Sequence, residues 1–146
     1  MKKDEKIVDT NYGDINKYKV EKNGNTVAII ALGDFYQLGG EVREEIKIRL
    51  NIDSTLINPR YITGLDKKLL ENLKENHSIV ITLEDGMVNG GFGEKIASFY
   101  GDSKIYVKNY GIKKSFPDRY DVNELLKENR LTKEQIVEDI EKLLKI

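Results

Sequence analysis

Apolar positions along the 146-residue chain fall into two alternating kinds of segment. One kind is short, continuous and β-rich: "TVAIIAL" (Thr26–Leu32), "STLINP" (Ser54–Pro59), "SIVITLE" (Ser78–Glu84) and "KIYVKNYG" (Lys104–Gly111). A short apolar run without polar alternation predicts a strand buried on both faces, as in a parallel sheet covered by helices. The other kind has apolar residues three and four apart. In "FYQLGGEVREEIKIRLN" (Phe35–Asn51) the stripe is Leu38, Val42, Ile46 and Leu50. In "LDKKLLENLKEN" (Leu65–Asn76) Leu69, Leu70 and Leu73 share a face behind Asp66. "GEKIASFYG" (Gly93–Gly101) and "DVNELLKEN" (Asp121–Asn129) read as helices, the latter with a Glu three residues after a capping Asp. "LTKEQIVEDIEKLLKI" (Leu131–Ile146) opens on Thr132 with Gln135 at the capping-box position, then carries Ile136, Ile140, Leu143 and Leu144.

Strands alternating with helices predict a three-layer α/β/α domain with a mostly parallel sheet of about five strands and right-handed crossovers. "KYKVEK" (Lys17–Lys22) alternates weakly before "NGN" (Asn23–Asn25), and Asn-Gly is a hairpin signal. That strand is therefore expected antiparallel at an edge, joined to the next by a hairpin. The polar start reads as a linker or leader over residues 1–15, with one domain over 16–146.

Composition narrows the function. Lys plus Arg is 24 against 25 for Asp plus Glu, a net charge of -1, so nothing favours a nucleic-acid backbone as partner. There is no cysteine, which removes disulfides, thiolate catalysis and cysteine-ligated zinc. "MKKDEK" leads into no apolar signal core, and no run approaches the roughly 18 residues of a membrane span. No membrane partner is expected, and the cytoplasm is the expected compartment.

Chemistry concentrates in "TLEDGMVNGGFGEKIASFY" (Thr82–Tyr100). Gly90, Gly91 and Gly93 fall where a strand feeds a helix, a place where free N–H groups can bind an anion. The stretch matches neither phosphate-loop nor dinucleotide spacing, and Glu84 and Asp85 would repel a phosphate beside them. The structural reading is preferred: Gly90 and Gly91 permit a turn with positive φ, and Gly93 lets the helix approach the sheet. Glu84 and Asp85 are adjacent on a strand and point to opposite faces, so they are poorly placed to share a proton. Either they face another protein surface or they are solvated. Arg60, just after a strand end, is expected to pair with a carboxylate within the chain or across a domain boundary. His77, the only histidine, follows a helix end and reads as a surface residue in a turn. No catalytic serine elbow is present. Gly33–Asp34, with Asn58 further on, faintly mimics a thiamine-diphosphate signature. Phe35 stands where that signature needs glycine, and helix N-capping accounts for the Asp.

Four ordered segments, "VAIIALGDFYQLGGEV", "TLINPRYITGLDKKLL", "HSIVITLEDGMVNGGFGEKIASFYG" and "KNYGIKKSFPDRYDVNELLKENRLTKEQIVEDI", resemble the C-terminal, third domain of the 1-deoxy-D-xylulose-5-phosphate synthase family of the transketolase superfamily. The likeness runs from about Asn16 to the end, and "KSFPDRYD" departs somewhat from its usual form. It implies a homodimeric enzyme that condenses pyruvate with glyceraldehyde 3-phosphate, using thiamine diphosphate and Mg²⁺, at the entry of non-mevalonate isoprenoid synthesis. It implies too that the cofactor motif and catalytic residues belong to the first two domains. This chain is then expected to carry no catalytic, cofactor-binding or metal-binding residue. Arg60, Glu84, Asp85, Asn89, Gly90 and Gly91 are its candidate contacts to neighbouring domains or a second copy. Two alternatives stand beside this: a 2-oxoacid dehydrogenase-type C-terminal domain docking an acyltransferase, and a free-standing small-ligand binder.

Overall fold

A computed structural model describes residues 18–60, 65–85, 91–112 and 126–145. Five strands form one sheet: β1 (Lys19–Lys22), β2 (Thr26–Ala31), β3 (Thr55–Asn58), β4 (His77–Asp85) and β5 (Tyr106–Ile112). Their spatial order is β1-β3-β2-β4-β5, with β1 antiparallel to β3 and every other pair parallel. Among the described residues, α1 (Tyr36–Leu50), α2 (Lys67–Leu73) and α3 (Phe92–Phe99) connect successive strands from β2 to β5, and α4 (Lys133–Leu144) follows β5.

The strands alternate between two buried faces, which is why their runs are continuously apolar. Val27, Ile29 and Ala31 of β2 join Ile79, Ile81 and Leu83 of β4 against Val42 and Ile46 of α1 and Ile136, Val137 and Ile140 of α4. Ala28, Ile30, Ile57 and Val80 point the other way, against Leu70 and Leu73 of α2, Phe92 and Ile96 of α3, and Tyr100 at the C-cap of α3. This is the three-layer arrangement that the alternating segments predict. Each fully buried Ile or Leu contributes about 1.5–3 kcal/mol relative to an exposed one.

Gly39 seats α1 on the sheet. A Cβ there would lie 2.8 Å from Ala31 Cβ and 3.3 Å from Leu56 Cδ1. Asn51 ends α1 in the left-handed conformation, at φ 58°, a cap that asparagine tolerates. Thr132 caps α4 by accepting from Gln135 N at 3.2 Å, as the sequence predicts. Asp66 caps α2 by accepting from Leu69 N at 3.2 Å, and its other oxygen takes Tyr18 N at 2.9 Å, tying the start of β1 to the helix.

Three expectations need correction. β1 is an antiparallel edge strand, but it is not in a hairpin with β2, because β3 lies between them. The Asn23–Asn25 turn instead crosses the start of β3, where a Cβ on Gly24 would collide with the Asp53 carbonyl. Glycine is required there for close approach, so the Asn-Gly signal was real and its partner was not. Second, the N-cap position of α1 is held by Phe35 and not by Asp34, because Gly33–Phe35 forms a 3-10 turn that runs directly into the helix. Third, His77 is no surface residue. It opens β4 and is buried, with Nε2 2.7 Å from Thr55 Oγ1 and Nδ1 3.1 Å from Leu73 O. Burial lowers its pKa below the usual 6.5, a shift the Leu73 carbonyl partly opposes. The sequence shows its place after a helix; only the fold shows α2 ending at Leu73 and needing partners for its last carbonyls.

Candidate functional site

In an open parallel sheet ligand-facing groups gather at the carboxyl ends of the strands, especially where neighbouring connections diverge. Here that place lies between β2, whose helix leads to β3, and β4, whose helix leads to β5. The sequence candidates surround it from two sides.

On the β4 side stands Glu84. Its side chain is on the α3 face of the sheet, the same face as Thr82, and it pairs with Gly111 of β5, two positions beyond Asn109. The residue is only 4% exposed, which excludes the solvated reading. Its Oε2 accepts from Gly93 N at 3.2 Å, at the first turn of α3. A carboxylate there satisfies a donor that the helix itself leaves unpaired, and it lies at the positive end of the helix dipole. Its Oε1 is buried without a hydrogen-bond partner among the described residues. Gly91 precedes the helix with φ 87°, the left-handed conformation the sequence predicts for this turn.

The other predicted role, that of Gly93, is also met. A Cβ at Gly93 would lie 2.7 Å from Asn109 Cγ and Oδ1 and 3.0 Å from Thr82 Oγ1. Thr82 Oγ1 donates to Asn109 Oδ1 at 2.7 Å beneath it. Gly111, paired with Glu84, completes the set, since a Cβ there would come within 2.5 Å of the Glu84 carbonyl oxygen. Thr82, Asn109 and Gly111 escaped the sequence reading. Their signal was available: Thr82-x-Glu84 and Asn109-x-Gly111 are the polar or small positions of one face on two adjacent strands.

The anion reading of the glycines is weakened by this geometry. The N–H of Gly93, which a phosphate would need, is already given to Glu84, and the carboxylate's charge opposes a second anion there. Asp85 is the last residue of β4, opposite Ile112 of β5. Asn89 and Gly90 lie outside the described residues.

On the β3 side, Arg60 follows Pro59 with φ 58°, and its N–H donates to Asn58 Oδ1 at 2.9 Å. Arg60, Asn58, Gly33 and Tyr36 line an open cleft of about 510 Å³ at the ends of β2 and β3. Arg60 and Glu84 thus stand at the same end of the sheet, on strands separated by β2. A second open cleft, about 570 Å³, runs along α3 and is lined by Leu65, Gly91, Glu94, Lys95, Ser98 and Phe99. Among the described residues no group of His, Asp or Glu is placed to hold a metal ion, and no helix is long and apolar enough to cross a membrane.

The five-stranded mixed sheet between two helix pairs is the layout of the C-terminal α/β domains of transketolase-type proteins. A split-gene transketolase in an inactive β4 tetramer superposes with a TM-score of 0.74 at 23% identity, over 89% of this chain and 43% of that one. The chain belongs to the transketolase C-terminal domain family, whose description matches residues 16–136. Among its curated relatives, the 1-deoxy-D-xylulose-5-phosphate synthase of Alkaliphilus oremlandii is 38% identical over 122 residues, which is 82% of this chain and 19% of that protein. The enzyme of the same name from Clostridium tetani is 34% identical over 130 residues, 88% of this chain and 21% of that protein. The chain therefore spans about a fifth of the length of these relatives.

Proposed function

We propose that this chain is the non-catalytic C-terminal domain of a 1-deoxy-D-xylulose-5-phosphate synthase, which packs against the remaining synthase domains and a second copy of itself. The whole enzyme would be cytoplasmic and would condense pyruvate with glyceraldehyde 3-phosphate, releasing CO₂, with thiamine diphosphate and Mg²⁺ held by its other domains. Residues 1–15 would then form the link to the domain before it, and Arg60, Asp85, Asn89, Gly90 and Gly91 would meet neighbouring protein.

The observation that carries this reading is the Glu84–Gly93 closure. The start of α3, where free N–H groups could receive an anion, is filled by the chain's own carboxylate, 3.2 Å from Gly93 N. The residues present do not fit thiamine diphosphate. Glu84 opposes a diphosphate at α3, and at β2 the Gly33-Asp34-Phe35 segment is a 3-10 turn carrying phenylalanine where the cofactor signature needs glycine. Glu84 itself serves indirectly: it holds the start of α3, and so the glycine turn before it, in one shape for a partner surface to meet.

Two measurements test this. The pure chain, supplied with thiamine diphosphate, Mg²⁺ and both substrates, should form no product above background. Added to a synthase truncated before this domain, it should co-elute with it in size-exclusion chromatography. Turnover by the chain alone, or capture of an acyltransferase in preference to the synthase domains, would overturn the proposal.

A further inference from the structure

The other end of the sheet holds a buried polar relay that the proposed function does not use. Gly24 N donates to Thr55 Oγ1 at 3.0 Å, Thr55 Oγ1 lies 2.7 Å from His77 Nε2, and His77 Nδ1 lies 3.1 Å from Leu73 O. A carbonyl oxygen only accepts, so Nδ1 carries the proton. Nε2 of the neutral ring is then an acceptor, and the Thr55 hydroxyl donates to it. Every donor in the chain from Gly24 to Leu73 runs in one direction, and Thr55 is buried more deeply still than His77.

The relay closes over a strained turn. Thr26, a β-branched residue, sits at φ 70°, where side chains are rarely tolerated, and the pairing of β2 with β4 is irregular between Thr26 and Val27. What holds the turn is bonding to the segments that His77 joins: Asn25 N donates to Asp53 O and Thr26 N to Asn76 O, both at 2.8 Å.

We propose that His77 is a proton-operated latch: neutral, it fastens the 23–26 turn, the start of β3 and the end of α2 to one another, and protonation releases the turn while the rest of the sheet stays folded. A proton on Nε2 would turn that atom into a donor facing Thr55 Oγ1. The Thr55 hydroxyl would have to swing away from it, leaving a buried donor without an acceptor beside a buried charge. Among the described residues no carboxylate is hydrogen-bonded to the ring, whose partners are the Thr55 hydroxyl and the Leu73 carbonyl. The charged residues on the segments packed around the ring are Asp53 before β3, Lys74 and Glu75 after α2, and Lys22 before the turn. Asp53 is paired with Lys47 and Lys74 with Glu71. Burial lowers the ring's proton affinity and outweighs the Leu73 carbonyl, which raises it.

The sign follows from linkage. The closed state holds its proton less tightly than the open one, so closure is complete above the ordinary histidine value near 6.5 and weakens below it. The test is amide hydrogen exchange and NMR on the full chain between pH 5 and 7.5. Protection of Gly24, Asn25 and Thr26, corrected for intrinsic exchange, should fall up to about tenfold per pH unit below 6.5, relative to Ile81 and Leu83. Long-range ¹⁵N–¹H correlation at pH 7.5 should show the Nδ1–H tautomer, and His77→Gln should flatten the pH dependence. An Nε2–H tautomer, titration at or above 6.5, or a protection ratio constant with pH would each overturn the latch. The wild-type measurements decide this even if the variant does not fold.

Discussion

Gly39 offers a quantitative check on how α1 is seated. A methyl added there would lie 2.8 Å from Ala31 Cβ, 3.3 Å from Leu56 Cδ1 and 3.5 Å from Ile29 Cγ2. Leu56 can adjust by rotation. Ala31 Cβ is fixed to the backbone of a buried central strand, so the helix must lift instead. Overpacking by one methyl costs about 1–3 kcal/mol, and a rigid obstacle puts Gly39→Ala in the upper part of that range. Alanine in a helix interior returns about 1 kcal/mol over glycine. The net expectation is a loss of about 1–2 kcal/mol in urea unfolding followed by far-ultraviolet circular dichroism. Ala31→Gly alone should cost about 1–2 kcal/mol through the lost buried methyl and added backbone freedom. In the double variant the new methyl occupies the space the old one vacated, so the cost should fall short of the sum by at least about 1 kcal/mol. If Gly39→Ala were stabilising, or the two changes simply added, the close contact between α1 and β2 would not be the reason for glycine at this position.

Three further changes probe other parts of the argument. The Asp139 carboxyl is raised by burial but lowered more by hydrogen bonds from Arg130 and Tyr110, and it ends below its ordinary value. A depressed folded value means stability that is present above the unfolded value near ~3.9 and lost as pH falls through the folded one. Asp139→Asn should therefore cost about 1–2 kcal/mol at pH 6, with the gap to the parent closing below pH 4 in urea melts. Thr132→Ala removes the α4 cap and should cost about 1 kcal/mol by the same assay; no change would mean that the cap is dispensable. Tyr100→Phe removes a 2.6 Å bond to Leu70 O, which the α2 terminus does not use because Lys74 N turns to Glu71 O instead. That buried carbonyl would lose its partner, at a cost of about 1–2 kcal/mol read from the unfolding midpoint.

Much of the layout was readable because it follows from local periodicity. Continuous runs such as Val27–Ala31 belong to strands covered on both sides, and the spacing of Val42, Ile46, Ile136 and Ile140 marks helix faces. Thr132 and Asp66 announce helix starts by chemistry that acts within three residues. The turn before α3 was readable too: Gly91 has the positive φ, and Gly93 the close approach, that their positions suggested.

What the chain could not announce was pairing across distance. Asn23-Gly24 carries the same local signal whether its strands pair with each other or a third strand slips between them, as β3 does. Glu84 looks like a surface acid until β5 and α3 close over it. His77 looks like an exposed turn residue until Thr55, 22 positions away, comes within 2.7 Å. Local sequence sets which backbone states are cheap, and here it determined the described strands and long helices and their order along the chain. The burial of a charge and the partner of a polar atom depend on surfaces brought together from distant segments, so only the tertiary structure decided them.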